Sequence, residues 1–362
     1  MRDIRRSIVL IVFTLICIGI IMIYSSSGIY ALQQLGDSAY FLKRHLIFLC
    51  VGFILALAAM SIDYRDLKKY AKPMIILGVI MLCLVLIPGI GKASYGARRW
   101  FQVGPLNFQP SEFVKIAMLI YLADFLSRKQ NRVHNFFDGF LPVLMVVGAA
   151  SLLILKQPDL GSAVSIAVIV MTVSFVAGAS AKQIGLIALM ALPVVYLLII
   201  RVPYRLARIM AFLDPWQDSQ GIGFQLTQSQ IALGSGGLFG VGLGKSMQKL
   251  FYLPAAHTDF ILSIIGEELG FIGALAVIML FIILIWQGAR LVKRTADPFG
   301  YYLSLGIILM LSLQTVVNVG VSIGALPTKG LPLPFISYGG SALVFNMIAV
   351  GLLLNISRVQ DI

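Results

Sequence analysis

The chain has 362 residues, of which 59% are hydrophobic and only 12% charged, and its formal net charge is +13. A soluble domain carries about 25% charged residues, so this chain cannot hide its apolar surface in one water-soluble core. It belongs in lipid, where runs of about 20 apolar residues span the bilayer. The positive balance excludes a nucleic-acid binder in favour of membrane loops, because the basic residues fall in short clusters between apolar runs. Loops facing an anionic cytoplasmic leaflet have that pattern.

The N-terminus, MRDIRRSIVLIVFTLICIGIIMIY, joins a basic start to an apolar stretch. The stretch is too long for a signal-peptide core and lacks a small-residue cleavage site, so it reads as a retained first helix. Ten apolar spans follow one another at 7–27, 44–62, 73–88, 110–127, 137–155, 159–178, 183–200, 259–288, 300–323 and 338–356. The expected fold is therefore an all-α polytopic membrane protein, one integral membrane domain over 1–362 with a long extracytoplasmic loop at 201–258. The connections alternate in charge. The N-terminus, DYRDLKKYAK, SRKQNRVHN, the AK turn, ARLVKRT and the C-terminus hold 15 Lys and Arg, against 7 in the opposite short loops. This bias puts both termini in the cytoplasm. Cys17, Cys50 and Cys83 each lie inside an apolar run without metal-ligand spacing and are expected as buried small hydrophobes.

Several stretches carry polar chemistry. In YGARRWFQVGPLNFQPSEFVKIAM, Arg98, Arg99 and Trp100 fall in an outer loop, and Gln109-Pro110-Ser111 starts a helix. Glu112 and Lys115 share a face of that helix. Lys115 is the one lysine inside a span by these bounds, and Glu112 is its expected partner, either for mutual neutralisation or at a functional site. In KQPDLGSA, Pro158 and Asp159 are a good helix start. Arg201, Arg205 and Arg208 form one stripe of a helix whose other faces carry Leu206, Ile209, Met210 and Phe212, an amphipathic segment lying on the membrane. Its arginines suit lipid headgroups or a substrate pyrophosphate.

GSGGLFGVGLGKS imitates a phosphate-binding loop but fails the pattern, because Phe239 stands where the first glycine is required. It reads as a pliable loop that packs closely. FYLPAAHTDF then places Asp259 at the mouth of a span. Thr258 is the expected N-cap, and a first-turn carboxylate favours the helix dipole. The alternative is a base or ligand at the outer mouth of a cavity. His257, next but one, points away on any helical geometry and is expected in the loop or at a substrate rim. Glu267 or Glu268 is expected in a buried pair with a basic residue. Finally, ALPTKGLPLPFISYGGSA holds three prolines and three glycines at membrane depth. Irregular backbone survives there only against protein or a water-filled cavity, so a polar cavity open to the outer face follows.

Together GARRWFQVGPLNFQPSEFVKIAM, KQPDLGSA, DPWQDSQGIGFQ, GSGGLFGVGLGKSMQKLFYLPAAHTDFI, GEELGFIG and LPLPFISYGGSALVFNMIAVGLLLNISR resemble the SEDS family (shape, elongation, division and sporulation) over nearly the whole chain. The QKLFYLP run is closer to the division protein FtsW and its sporulation relative SpoVE than to the elongation protein RodA. The resemblance implies a peptidoglycan glycosyltransferase of the bacterial cytoplasmic membrane. Such a protein polymerises lipid II at the outer face, beside a class B penicillin-binding protein. It maps the family's essential acid to Asp259, its loop tryptophan to Trp100, its basic residue in the next helix to Lys115 with Glu112, and the basic residue opening the second span to Arg44. Ser341 followed by Ala342 departs from the family's usual Ser-Ser.

The implied reaction needs a base for an attacking hydroxyl and positive charge for a leaving pyrophosphate. Asp259 is the candidate base. Lys115, Arg44 and Arg99 are candidates for the pyrophosphate, with a divalent cation (Mg or Mn) as a candidate companion and no nucleotide. Two rivals use the same features: a lipid II flippase, and a non-catalytic scaffold for the penicillin-binding protein.

Overall fold

The computed structural model describes residues 1–94, 97–104, 106–130, 133–250 and 252–359. Within these, a helix covers each of the ten expected spans: α1 (Arg2–Leu35), α2 (Tyr40–Ser61), α3 (Leu67–Leu84), α4 (Pro110–Arg128), α5 (Leu141–Lys156), α6 (Leu160–Val176), α7 (Ala181–Ile200), α10 (Ile261–Arg294), α11 (Pro298–Ser322) and α12 (Gly340–Val359). Seven of these are long and apolar enough to cross a membrane by length and composition: α1, α2, α5 (with the turn before it), α7, α10, α11 and α12. The long loop contributes two more helices, α8 (Pro203–Leu213) and α9 (Phe224–Ser235). Arg201 lies in the turn before α8, so only Arg205 and Arg208 of the expected stripe are on the helix. One element departs from the all-helical expectation. The α3–α4 connection folds as an antiparallel sheet of β1 (Lys92–Ser94), β2 (Ala97–Val103) and β3 (Leu106–Phe108) in that order.

Local chemistry sets the ends. Gly36 at φ 73° closes α1 in the left-handed conformation that glycine tolerates best. Asp297 accepts from Gly300 N–H at 2.9 Å, with Pro298 in the first turn, and so starts α11. Asp159 starts α6 in the same way, accepting from Ser162 N–H at 3.0 Å and Ser162 Oγ at 2.8 Å. The helices are not equivalent. The apolar stretch of α12 is 83% buried and that of α7 0% buried, so α12 is central and α7 peripheral. The cysteine expectation fails for the same reason: Cys50 and Cys83 face outward. In lipid an apolar side chain has two apolar destinations, and outward is one of them.

The glycine-rich stretch acquires a definite role. α10 is interrupted at Gly270, whose φ of 70° and ψ of −172° lie outside helical space. The interruption removes the bonds that Phe271 and Ile272 N–H would make to Glu267 and Glu268 carbonyls. Instead Val241 and Gly242 N–H donate to those carbonyls at 3.0 and 3.1 Å. Phe271 and Ile272 N–H donate to Gly237 and Leu238 carbonyls at 2.8 and 3.2 Å. A Cβ on Gly236 or Gly240 would collide with the Gly266 or Glu268 carbonyl.

The two acids beside the break are both buried. Glu268 pairs with Lys249 at 2.8 Å and accepts from Ser25 Oγ at 2.7 Å, tying the loop and α1 to α10. Among the described residues, Glu267 takes no cation. It accepts from Ser246 Oγ and from Met247 N–H at 2.8 Å, and so caps the end of the loop. The expected buried ion pair is thus Glu268's.

Gly240→Ala and Gly237→Ala both place a side chain at positive φ, but only Gly240 also faces a blocking carbonyl. Gly237→Ala is expected to cost about 1–2 kcal/mol. Gly240→Ala should lower the melting temperature in detergent distinctly further. Equal losses would show that the loop does not clamp α10.

Candidate functional site

Asp259 does not start the helix. α10 begins at Ile261, and Phe260 occupies the cap position without a side-chain bond. Thr258 is not the N-cap, because its hydroxyl donates to Ala255 O at 3.1 Å. The backbone from 255 to 260 winds instead as tight turns around that carbonyl, with Ala255 at φ 59°. The capping role that the sequence offered Asp259 is therefore absent. Among the described residues, no side-chain or backbone donor bonds its carboxylate.

What surrounds that carboxylate comes from far along the chain. The backbone of Gly330 packs so closely that a Cβ there would stand 3.0 Å from Asp259 Oδ2. Asn318, on α11, donates through Nδ2 to the Asp259 carbonyl and to the Leu331 carbonyl, each at 2.9 Å. Arg208, on α8, acts on the carboxylate electrostatically and donates through Nη1 to Thr328 O at 3.0 Å. Burial pushes the Asp259 carboxyl up to about 6, and Arg208 opposes that rise. His257 is held neutral in its turn, burial pushing it down to about 4.

Two groups of residues adjoin this centre. On one side His257 joins an aromatic set, with ring centroids 4.5 Å from Phe41 and 5.8 Å from Tyr338, and its carbonyl accepts from Tyr338 N–H at 2.9 Å. Arg44 belongs here: it donates to Tyr40 Oη at 2.7 Å and acts on Tyr338. On the other side Lys329, next to Gly330, donates to Ser165 Oγ at 3.1 Å and shares its field with Asp159 and Lys115. Lys115 and Glu112 form a buried ion pair at 2.7 Å, with 4% of each side chain exposed. The structure so brings Asp259, Arg208, Arg44, Glu112 and Lys115 around the irregular segment 325–339.

Arg99 and Trp100 lie further out, half-buried on β2. Arg99 donates to Gln157 O at 2.8 Å and Pro158 O at 2.5 Å, so its guanidinium holds the α5–α6 turn. Trp100 pairs with Lys92 across the sheet. Asp159 keeps its capping role while also facing Lys329. Ser341 Oγ donates to Asn107 O and accepts from Gln109 N–H, both at 3.0 Å, which joins the start of α12 to the sheet and α4. Three residues of the site were not singled out by sequence: Asn318, Lys329 and Gly330. The one hint was the break in helical patterning around Lys329 and Gly330. Among the described residues, no three His, Cys, Asp or Glu side chains group as a metal-binding set.

Residues 5–362 match the family of FtsW, RodA and SpoVE, described as cell cycle proteins. The probable peptidoglycan glycosyltransferase FtsW of Geobacter sulfurreducens is 46% identical over 350 residues, covering 97% of this chain and 94% of the relative. Stage V sporulation protein E of Bacillus subtilis is 44% identical over 351 residues, covering 97% and 96%. A chain of a peptidoglycan synthase complex, described as coordinating polymerization and crosslinking, superposes with a TM-score of 0.79. It is 29% identical and the match covers 98% of this chain and 97% of that one. The rod shape determining protein RodA of Thermus thermophilus superposes at 0.73, also 29% identical, covering 98% and 96%.

Breaking the Glu112–Lys115 pair from one side should be costly, because it strands a buried charge. Lys115→Met is expected to lose about 3–5 kcal/mol, read as a fall in melting temperature. Adding Glu112→Leu should recover most of that stability. If the double variant restored activity as well, the pair would be structural alone.

Proposed function

Because the chain belongs to the FtsW/RodA/SpoVE family of cell cycle proteins, we propose that it polymerises lipid II with Asp259 as the base that activates the acceptor sugar's hydroxyl. It is a multi-pass membrane protein and a peptidoglycan glycosyltransferase. The observation that carries the proposal is the setting of Asp259. It is an acid outside any helix, unbonded at its carboxylate among the described residues, pressed by the bare backbone of Gly330 and lying in the field of Arg208.

The chemistry then divides between residues. The incoming sugar's 4-hydroxyl attacks the anomeric carbon of the donor, the bond to the lipid pyrophosphate breaks, and Asp259 accepts the hydroxyl proton. A base is most useful when its pKa lies near the working pH, and burial moves this carboxyl from 3.8 to about 6. It is then mostly ionised at neutral pH while being a better base than an ordinary carboxylate. The departing pyrophosphate carries the negative charge away, and Lys115, Arg44, Arg208 and Lys329 are the cations within the assembly that can meet it. Arg99 serves this indirectly by holding the α5–α6 turn. Inversion at an α-linked donor gives a β-linked strand.

A magnesium or manganese ion would be held here chiefly by the substrate's own phosphates, because among the described residues no three His, Cys, Asp or Glu side chains group to ligate one. The charge asymmetry of the loops supports an orientation with both termini in the cytoplasm and Asp259 at the outer face of the cytoplasmic membrane. A class B penicillin-binding protein is the proposed partner. Support comes from the likeness to a chain of a complex described as coordinating polymerization and crosslinking.

Asp259→Asn should reduce glycan formation from purified lipid II by about 100-fold or more while leaving complex formation intact. Full-length polymer from that variant would sink the assignment. Movement of labelled lipid II across liposomes without polymer would favour a flippase instead. For the wild type, initial rate should fall as pH drops through about 6, as the carboxyl takes up its proton. Linkage gives the opposite sign for stability. The folded carboxyl binds its proton more tightly than the unfolded one, so stability declines as pH rises from 3.8 towards 6. Asp259→Asn should therefore be at least as stable as wild type at pH 7, which separates a lost base from a lost fold.

A further inference from the structure

We propose that Asn318 and Gly330 form a clamp that positions Asp259 for its work, with Asn318 holding the main chain at Asp259 and Gly330 closing against its carboxylate. The inference rests on the reading of Asp259 as the base, and neither residue need touch substrate.

The geometry is specific. Asn318 is 1% exposed on α11. A single amide nitrogen has two N–H groups, and both are used: one on the carbonyl of Asp259 and one on the carbonyl of Leu331, each at 2.9 Å. Without that amide, two main-chain oxygens from segments about 70 residues apart would be left unbonded at the same point. A buried acceptor left without a donor keeps its full desolvation penalty. The amide therefore fixes the turn before α10 to the irregular segment that follows α11, and Gly330 is the residue just before Leu331. Locking Leu331 places the Gly330 backbone against Asp259 Oδ2, where a Cβ would sit at 3.0 Å. Gly330 has no positive φ, so its requirement for glycine is closeness rather than conformation. Further along α11, Ser322 Oγ donates to Asn318 O at 3.0 Å, and Ser322 O accepts from Ser229 Oγ at 2.7 Å, which anchors the helix end to α9.

The clamp also governs the water around the carboxylate. Of the charged groups near it, Arg208 on α8 acts on it directly, Lys329 turns its ammonium to Ser165, and His257 in the same turn is neutral. Desolvation is the larger influence on this acid, and the segment held by Asn318 supplies the backbone that presses on it. Releasing the segment should admit water and return the acid towards ordinary behaviour.

The test uses the full-length protein with its partner, purified lipid II as substrate, and three readouts: initial rate at saturating substrate, KM, and the midpoint of the acid limb. Asn318→Ala should lower the maximal rate on the order of 10–100-fold with KM little changed, and move the acid midpoint down from about 6 towards 3.8. Asn318→Gln, which keeps both donors, should recover part of the rate. Gly330→Ala approaches the same contact from the other side and leaves the Asn318 amide in place. It should lower the rate and shift the midpoint while the protein stays folded. A folded Asn318→Ala with wild-type rate and midpoint would overturn the clamp. Should Asn318→Ala fail to fold, Gly330→Ala decides, and unchanged rate and midpoint there would overturn it equally. If Asp259→Asn itself polymerises lipid II, the base reading fails first. If Asp259→Asn is inactive but the clamp variants behave as wild type, the clamp alone is wrong.

Discussion

Lipid offers no hydrogen bonds, so wherever a helix in this protein stops or breaks, other protein groups must bond the freed backbone. That constraint organises the molecule more than any single apolar contact. It is met most fully at Gly270, where α10 loses two internal bonds and gains four to the preceding loop. The glycines that looked like a phosphate cradle are there because only bare backbone can approach the broken helix closely enough to make that exchange. The Lys249–Glu268–Ser25 group then fastens the loop to α1. The break and its bonds are one structural unit.

The same logic shapes the site. Segment 325–339 is irregular, and its freed carbonyls find partners on the helices around it: Asn318 for Leu331, Arg208 for Thr328. The groups that stabilise the irregular chain are thereby the groups that surround Asp259. A helix cap would have bonded that carboxylate and kept its basicity low. Starting α10 two residues later leaves it half-buried, in the field of Arg208 and, among the described residues, unbonded.

Much of the fold was legible from apolar runs and loop charge, because a span is a long and compositionally extreme feature. All ten expected spans carry helices, and their bounds differ by up to eight residues. The small sheet at 92–108 was not legible, since its strands are short and one contains Arg98, Arg99 and Trp100 in succession. Burial was the least readable property. Cys50 and Cys83 look like core residues by composition yet face outward, because periodicity that sorts polar from apolar faces vanishes when both faces are apolar. At the site, charged residues were easy to select. Lys115 and Glu112 form the expected pair, while Arg99 spends its donors on main-chain carbonyls. Asn318 gave no signal, because one asparagine in a helix says nothing about two distant oxygens that it will join.

Those two oxygens also give the site an order in time. Synthesis runs from the N-terminus, and the loop that bonds the α10 break leaves the ribosome before the break itself. Asp259 is different: Asn318, Gly330 and Leu331 all follow it, by about 60 to 70 residues. When Asp259 first reaches the membrane its turn has no amide to hold it and no backbone to cover it. Arg208 precedes it in the chain, but the acid acquires the rest of its cover only after α11 has inserted and the segment beyond it has folded back. The nascent chain is thus a membrane protein well before it holds an assembled site, and the last tenth of the chain is what completes it.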